Sequence, residues 1–256
     1  MLHISFGLTA YILCITFFLG CCLGSFADCM AVRLVSGQSV LSGRSHCDSC
    51  GHVLGVLDLF PVLSWLLLKG KCRYCGSKLS KQYPIVEALN GILYVVVFYA
   101  TDFSWDSILY CLMTSALIVL SVIDYRTYEI PFGINVFLFV LGVIRCVFGK
   151  GDRGTLMIGF FAVSLFLLLL SLLTRGAAIG GGDIKLMAAA GLLLGWKLII
   201  LAFVMGCIAG SVVHLFRMKV CGAGRMLALG PYLSVGIFIA ALWGNGMIDW
   251  YLGLFM

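Results

Sequence analysis

The chain is poor in charged residues and in proline. Only 11% of its 256 residues are charged, and there are 4 prolines. With so little charge, neither a disordered chain nor an ordinary soluble domain fits the composition. Acidic residues number only 11, so each can be considered individually. Hydrophobic residues make up 62% of the chain, which indicates a polytopic membrane protein.

Eight apolar segments approach the roughly 20 residues that a transmembrane helix needs. They predict an all-α fold with about eight transmembrane helices, of which the sixth is the shortest. No Lys or Arg precedes the first segment, so we interpret it as a retained helix rather than a cleaved signal. We expect the helices at residues 4–25, 84–100, 107–124, 132–148, 155–174, 184–195, 198–216 and 227–246.

The basic residues predict the orientation, because Lys and Arg near helix ends stay on the cytoplasmic side. If the long loop 36–83 is cytoplasmic, thirteen of the 17 basic residues are cytoplasmic and four are not. This topology and contact with the anionic lipid bilayer account for the net charge of +6, so no nucleic-acid partner is expected. The cytoplasmic set is Arg33, Arg44, Lys69, Lys71, Arg73, Lys78, Lys81, Arg126, Arg175, Lys185, Arg217, Lys219 and Arg225; the other set is Arg145, Lys150, Arg153 and Lys197.

The loop 36–83 contains two C-x2-C pairs, Cys47 with Cys50 and Cys72 with Cys75, separated by 21 residues. Two such pairs can hold a structural zinc ion in a tetrahedral four-cysteine site. Redox dithiols or disulfides are the alternative, but the predicted cytoplasmic side is reducing. We therefore divide the chain into a first helix with its cytoplasmic end (1–35), a small cytoplasmic zinc-binding insert (36–83) and a membrane-embedded domain (84–256).

Two histidines, His46 and His52, flank the cysteine pairs and are alternative ligands. A loop of this length has little core of its own, so metal binding would contribute folding free energy directly.

Five of the 11 acidic residues are expected in solvent. Three stand out at the cytoplasmic ends of membrane helices, namely Asp124, Glu129 and Asp183. A carboxylate at membrane depth is costly and marks a candidate functional site. Asp124 closes the third predicted helix and Asp183 opens the sixth, on the same side of the membrane. Loop residues whose carboxylates we expect to be solvated are Asp48, Asp58, Asp102, Asp106 and Asp152.

Two carboxyl groups that share a proton can divide the chemistry of peptide hydrolysis. One activates a water molecule and the other protonates the leaving amine. The alternative is that either acid caps a helix or pairs with Arg126, Arg175 or Lys185. The three glycines before Asp183 favour a functional role, because irregular backbone at this depth is tolerated only inside protein or beside a wet cavity. They would leave room for a substrate backbone.

The motifs "DYRTYEIP" and "GGGDIKLMAAAGLLLG" resemble the two aspartate motifs of the type IV prepilin peptidases, a branch of the GxGD membrane aspartic proteases. The resemblance extends over residues 20–233. It includes "GSFADCMAVR", both cysteine pairs, "PVLSWLLLKGKCRYCG", "YPIVEALNG" and "LGPYL", in the same order.

The resemblance implies a bifunctional enzyme of the bacterial cytoplasmic (inner) membrane. Its members cut the basic leader from type IV prepilins or pseudopilins at the cytoplasmic face, then N-methylate the new N-terminal residue with S-adenosylmethionine. Carried over by motif, Asp124 and Asp183 are the catalytic pair, and Gly180, Gly181, Gly182 and Lys185 form the supporting loop. The methylation region corresponds to Gly24, Ser25, Phe26, Arg33, Glu87 and Gly91.

Three departures from the family pattern affect the methylation region. Asp28 replaces the usual Asn of G-S-F-x-N, Asp48 replaces the Pro after the first Cys, and Leu59 replaces Asn in "DLFP". A peptidase without methyltransferase activity is therefore the nearest alternative. A zinc-bearing transporter and a membrane thiol oxidoreductase are alternatives of other classes.

The positions of the two aspartates suggest which one carries the shared proton. A helix C-terminus disfavours negative charge and an N-terminus favours it. Asp124 ends a helix and Asp183 begins one, so our hypothesis places the proton on Asp124 and makes Asp183 the ionised base.

Overall fold

The computed structural model describes residues 6–39, 43–149, 152–176, 179–222 and 227–255. These residues form ten α-helices and two isolated β-bridges. The helices are α1 (Phe6–Val35), α2 (Leu63–Leu67), α3 (Gln82–Thr101), α4 (Trp105–Thr127), α5 (Phe132–Phe148), α6 (Arg153–Ala162), α7 (Ser164–Leu173), α8 (Gly181–Leu194), α9 (Trp196–Cys221) and α10 (Gly230–Gly253).

Each of the eight predicted apolar segments contains a helix within its described residues. In the described parts of the chain, six helical stretches are long and apolar enough to cross a membrane, and α5 adds a shorter apolar helix of 17 residues. The predicted fifth helix consists of α6 and α7, which meet at Val163. The sixth is α8, whose 14 residues span about 21 Å, less than the roughly 30 Å of a hydrocarbon core. The chain is therefore a multi-pass membrane protein.

The chain divides into two compact units, Met1–Phe103 and Ser104–Met256. In the first unit, α1 and α3 pack closely because glycines lie at their contact. A Cβ atom at Gly20 would lie 2.8 Å from Gly91 Cα, and one at Gly24 would lie 2.9 Å from Asn90 Cβ. The Asn90 side chain also donates a 2.7 Å hydrogen bond to the Gly20 carbonyl.

Glycines also set the helix packing of the second unit. The Gly159 position on α6 lies directly against Gly191 and Gly195 at the end of α8. Gly206 on α9 faces Leu233 on α10. A Cβ atom added at Gly206 would lie 3.0 Å from the Cα atom of Leu233. Small residues allow backbones to approach in this way inside a membrane.

A polar network joins α4, α5 and α8 in the second unit. The Arg145 guanidinium bonds to both carboxylate oxygens of Asp106 and donates to the Leu193 carbonyl. It also lies over the Tyr110 ring, 5.3 Å from its centroid. The expectation that Asp106 is merely solvated is wrong, because Asp106 pairs with a largely buried cation in the first turn of α4.

Several expectations are not tested by these helices. The predicted membrane orientation and the division at residues 35 and 83 stay predictions. Lys150 and Arg225 of the orientation argument lie outside the described residues, as do residues 1–5.

Asp152, also expected to be solvated, caps α6 by accepting hydrogen bonds from the Gly154 and Thr155 amides at 3.1 Å.

Candidate active site and metal centre

Asp124 lies in the last turn of α4 and is only 4% exposed. The helix ends beyond it because Tyr128 adopts a left-handed conformation (φ 57°), with its N–H donated to the Asp124 carbonyl. The side chain accepts a 2.8 Å hydrogen bond from the Gly230 N–H, the first residue of α10. A Cβ at Gly230 would lie 2.7 Å from Asp124 Oδ2, so only glycine fits without a shift.

Asp183 is the third residue of α8 and is half-buried. The α8 N-cap is Gly180, so Asp183 lies in the first turn of α8 and not at its N-cap position. The backbone beside Asp183 lies against the connection that follows Asp124, because a Cβ at Gly182 would lie 2.8 Å from the Cβ of Ile130. The Nζ atom of Lys185 lies over the Phe132 ring, 5.2 Å from its centroid.

The glycines before Asp183 differ in their surroundings. A Cβ at Gly182 would lie 2.8 Å from the Cβ of Ile130, whereas a Cβ at Gly181 would have nothing within 4 Å. The expected room for a substrate backbone is therefore absent at Gly182, which packs against the α4–α5 connection. Asn135 at the start of α5 also donates a 3.4 Å hydrogen bond to the Gly182 carbonyl.

The structure contradicts the premise of the hypothesis that Asp124 carries the shared proton. It requires Asp124 to face only a helix C-terminus, but the carboxylate lies at the N-terminus of α10 and bonds to the Gly230 amide. Both aspartates therefore lie at helix N-termini, and the dipole contrast drawn from the sequence is wrong.

Sequence reasoning missed three residues that contact the two aspartate segments: Gly230, Ile130 and Asn135. The "LGPYL" motif was a usable signal, because a glycine followed by proline is suited to the first positions of a helix. No local pattern identifies Ile130 or Asn135, whose partner Gly182 is about 50 residues further along the chain.

The four cysteines of the insert form one cluster. The sulfur atoms of Cys47, Cys50, Cys72 and Cys75 all lie within 4.8 Å of one another. The cysteines are free rather than disulfide-bonded. Cys47 and Cys75 Sγ are 3.8 Å apart, and zinc–sulfur bonds of about 2.3 Å in a tetrahedron give a spacing of about 3.8 Å. This group could hold a metal ion.

Both halves of the cluster have the same backbone construction. The Cys47 N–H bonds to the His52 carbonyl at 3.0 Å, and the Cys72 N–H bonds to the Ser77 carbonyl at 2.8 Å. Gly51 and Gly76 follow the second cysteine of each pair with φ of 69° and 71°, a conformation that glycine adopts without strain.

The backbone is also oriented to stabilise a thiolate. Hydrogen bonds from the backbone N–H groups of Cys50 and Ser49 lower the pKa of Cys47 to about 6.

Asp58 connects the segment between the cysteine pairs to the second pair. It accepts hydrogen bonds from Arg73 Nε at 2.7 Å and from the Tyr74 hydroxyl at 3.0 Å. Its side chain is 6% exposed, so the expectation of a solvated carboxylate is wrong here too. His52 stacks on Tyr74, with ring centroids 3.6 Å apart, and is not part of the sulfur cluster.

The residues assigned to methylation fall into two groups. Gly24 and Gly91 lie at the α1–α3 contact, where each faces the opposite helix. Phe26 is 58% exposed, and the Arg33 guanidinium donates a 3.0 Å hydrogen bond to the Gly43 carbonyl. Glu87 is buried and accepts a 2.7 Å hydrogen bond from the Val62 N–H; Ser25 interacts with the same carboxylate.

Comparison with known proteins covers both units. Residues 18–101 match the family described as bacterial peptidase A24 N-terminal domain, and residues 111–215 match the type IV leader peptidase family. No solved structure matches the chain.

Several curated relatives are each named prepilin leader peptidase/N-methyltransferase. The protein from Aeromonas salmonicida (strain A449) is 34% identical over 216 residues, covering 82% of this chain and 74% of the relative. The protein from Bacillus subtilis (strain 168) is 31% identical over 246 residues, 94% of this chain and 98% of the relative. The chain therefore belongs to the type IV prepilin leader peptidase/N-methyltransferase family, peptidase family A24.

Proposed function

We propose that the chain is a membrane aspartic endopeptidase that removes the basic leader of type IV prepilins or pseudopilins at the cytoplasmic face of the inner membrane. One observation carries this proposal. The residue before Asp183, Gly182, packs against Ile130, which follows Asp124 by only six residues, so the two aspartate segments meet within the second unit. Membership of the family removes the basis for the transporter and thiol oxidoreductase alternatives.

In the proposed mechanism the two carboxyl groups hold one water and one proton between them. The ionised carboxylate takes a proton from the water as it attacks the peptide carbonyl, and the protonated partner donates its proton to the leaving amine. The Gly230 N–H fixes the orientation of Asp124 through one of its oxygens. Burial of Asp124 excludes bulk water and strengthens the electrostatic interactions within the pair.

We propose zinc as the metal of the four-cysteine cluster. Four thiolates leave no open coordination position, so the ion is structural rather than catalytic. The free thiols and their spacing support the proposal.

Methyl transfer with S-adenosylmethionine is the second proposed activity, with the cofactor supplying the methyl group. Two of the six assigned residues, Gly24 and Gly91, have a packing role at the α1–α3 contact. Ser25, Phe26, Arg33 and Glu87 remain as candidates for the methylation site. Asp28, the departure in this region, is 1% exposed and accepts a 2.6 Å hydrogen bond from Gln82.

The first prediction concerns both activities. When the chain is co-expressed with a candidate prepilin, we expect loss of the leader and gain of one methyl group by mass spectrometry. Asp124→Asn and Asp183→Asn should each slow cleavage by at least about 10²-fold, because each removes one proton-transfer group.

Asp249→Asn is the control, since Asp249 is exposed near the end of α10. Wild-type cleavage by either active-site variant would refute the aspartate pair. Cleavage without methylation would establish the peptidase-only alternative.

The second prediction compares adjacent glycines. Gly182→Ala should lower kcat for leader cleavage by about 10²-fold, because a new Cβ would meet Ile130 and displace the backbone before Asp183. Gly181→Ala should leave kcat close to wild type, because its Cβ has open space. A cleavage assay on purified protein measures both, and equal effects would contradict this packing argument.

The third prediction concerns the metal. Asp58→Asn should speed zinc release to a chromophoric chelator by about 10-fold, because it weakens the bonds that hold Arg73 and Tyr74 between the second pair of cysteines. Asp48→Asn is the matched control, since Asp48 is exposed between the first pair. Unchanged release from the Asp58 variant would rule out this supporting role, and absence of zinc in wild-type protein would refute the zinc proposal.

A further inference from the structure

The insert contains an apolar loop, residues 56–68, whose side chains are unusually exposed. Val56 is 84% exposed, Leu57 72% and Leu67 81%. Other exposed members are Leu59, Phe60, Leu63 and Leu66. Water-soluble surfaces rarely expose so many apolar side chains within one short segment, which indicates that another apolar phase covers them.

The contact between Phe60 and α1 indicates the depth of this loop. The Phe60 ring centroid lies 5.2 Å from that of Phe18. Phe18 is twelve residues after Phe6, the first residue of α1, or about 18 Å along the helix. The 30 residues of α1 span about 45 Å, against a hydrocarbon core of roughly 30 Å. Wherever that core lies along α1, Phe18 is inside it.

The packing of α3 against α1 indicates the same depth for the loop. Gly91, near the middle of α3, packs against Gly20 on α1, two residues from Phe18. The loop therefore reaches the level at which both helices are surrounded by lipid.

Backbone groups at hydrocarbon depth need partners within the protein, and seven N–H groups of the loop have one. Val62 adopts φ 60° and ψ −52°, with the Leu63 N–H bonded to the Pro61 carbonyl in a γ-turn. Such a turn is strained for a β-branched residue. The N–H of Val62 is bonded to the buried Glu87 carboxylate at 2.7 Å.

The remaining part of the loop turns its polar groups inward. The N–H groups of Asp58, Leu59, Ser64, Leu66 and Leu68 bond to carbonyls of the segment 55–64. The only charged side chain, Asp58, is buried against Arg73 and Tyr74. What the loop exposes is consequently almost entirely apolar.

The two ends of the loop are flanked by the cysteine cluster, and two basic residues follow its second end. It begins six residues after Cys50 and ends four residues before Cys72, so the sulfur cluster holds its two ends together. Lys69 and Lys71 follow immediately and are exposed. Basic residues beside an apolar segment fit an anionic lipid headgroup region.

We propose that residues 56–68 form a re-entrant segment embedded in the lipid bilayer beside α1 and α3, with lipid acyl chains as the partner of its exposed side chains. A 13-residue apolar segment is too short to span a membrane and has the length of a re-entrant one. This inference does not depend on either proposed enzymatic activity.

The test measures depth with spin labels on the full-length protein in vesicles of phosphatidylcholine and phosphatidylglycerol. The labels are attached to a ketone-bearing amino acid, because the chain has 12 cysteines, including the four of the cluster. Labels replace Leu57 and Leu67; Leu19, exposed on α1, and Lys78, exposed beside the second cysteine pair, are the references.

We expect the labels at Leu57 and Leu67 to lose access to a water-soluble nickel chelate and to gain access to oxygen, to the level found at Leu19. Access to the chelate as at Lys78 would place the loop in water and overturn the proposal. Low access to both reagents would mean that protein, such as a second copy or a substrate, covers the loop, and would also overturn it.

Discussion

A buried carboxylate at the end of a membrane helix has to be stabilised by a fixed dipole, and for Asp124 that dipole is the Gly230 N–H. This single hydrogen bond ties the end of α4 to the start of α10. It requires a glycine at position 230, since a Cβ there would collide with the carboxylate. The chain thus keeps an acidic side chain at a depth where its charged form is costly. The same arrangement leaves the second oxygen of Asp124 available for chemistry.

The other half of the pair is positioned through the backbone of the residue before it. Asp183 stands in the first turn of α8, and the backbone just before it is fixed by Ile130 and Asn135. Ile130 lies in the short connection that leaves α4 only a few residues after Asp124. A short stretch of chain therefore links the end of α4, which carries Asp124, to the backbone beside Asp183.

The helical segments could be predicted from sequence because each is a long apolar run, and the cysteine cluster because its spacing is local. Contacts between distant residues could not be. The bond from Gly230 to Asp124 spans 106 residues, and the pairing of Arg145 with Asp106 spans 39. For the same reason Asp58 and Asp106 were wrongly expected in solvent, and the dipole argument for the shared proton considered only the helix that carries Asp124. The membrane orientation and the residue roles at the methylation site stay predictions.

The central claim is that Asp124 and Asp183 share one catalytic water. The most direct measurement is an experimental structure of the protein in lipid at a resolution that shows ordered water. The account predicts one water within about 3 Å of an oxygen of each carboxylate, with Asp124 still bonded to Gly230. Carboxylates too far apart for one water, or facing opposite leaflets, would contradict it.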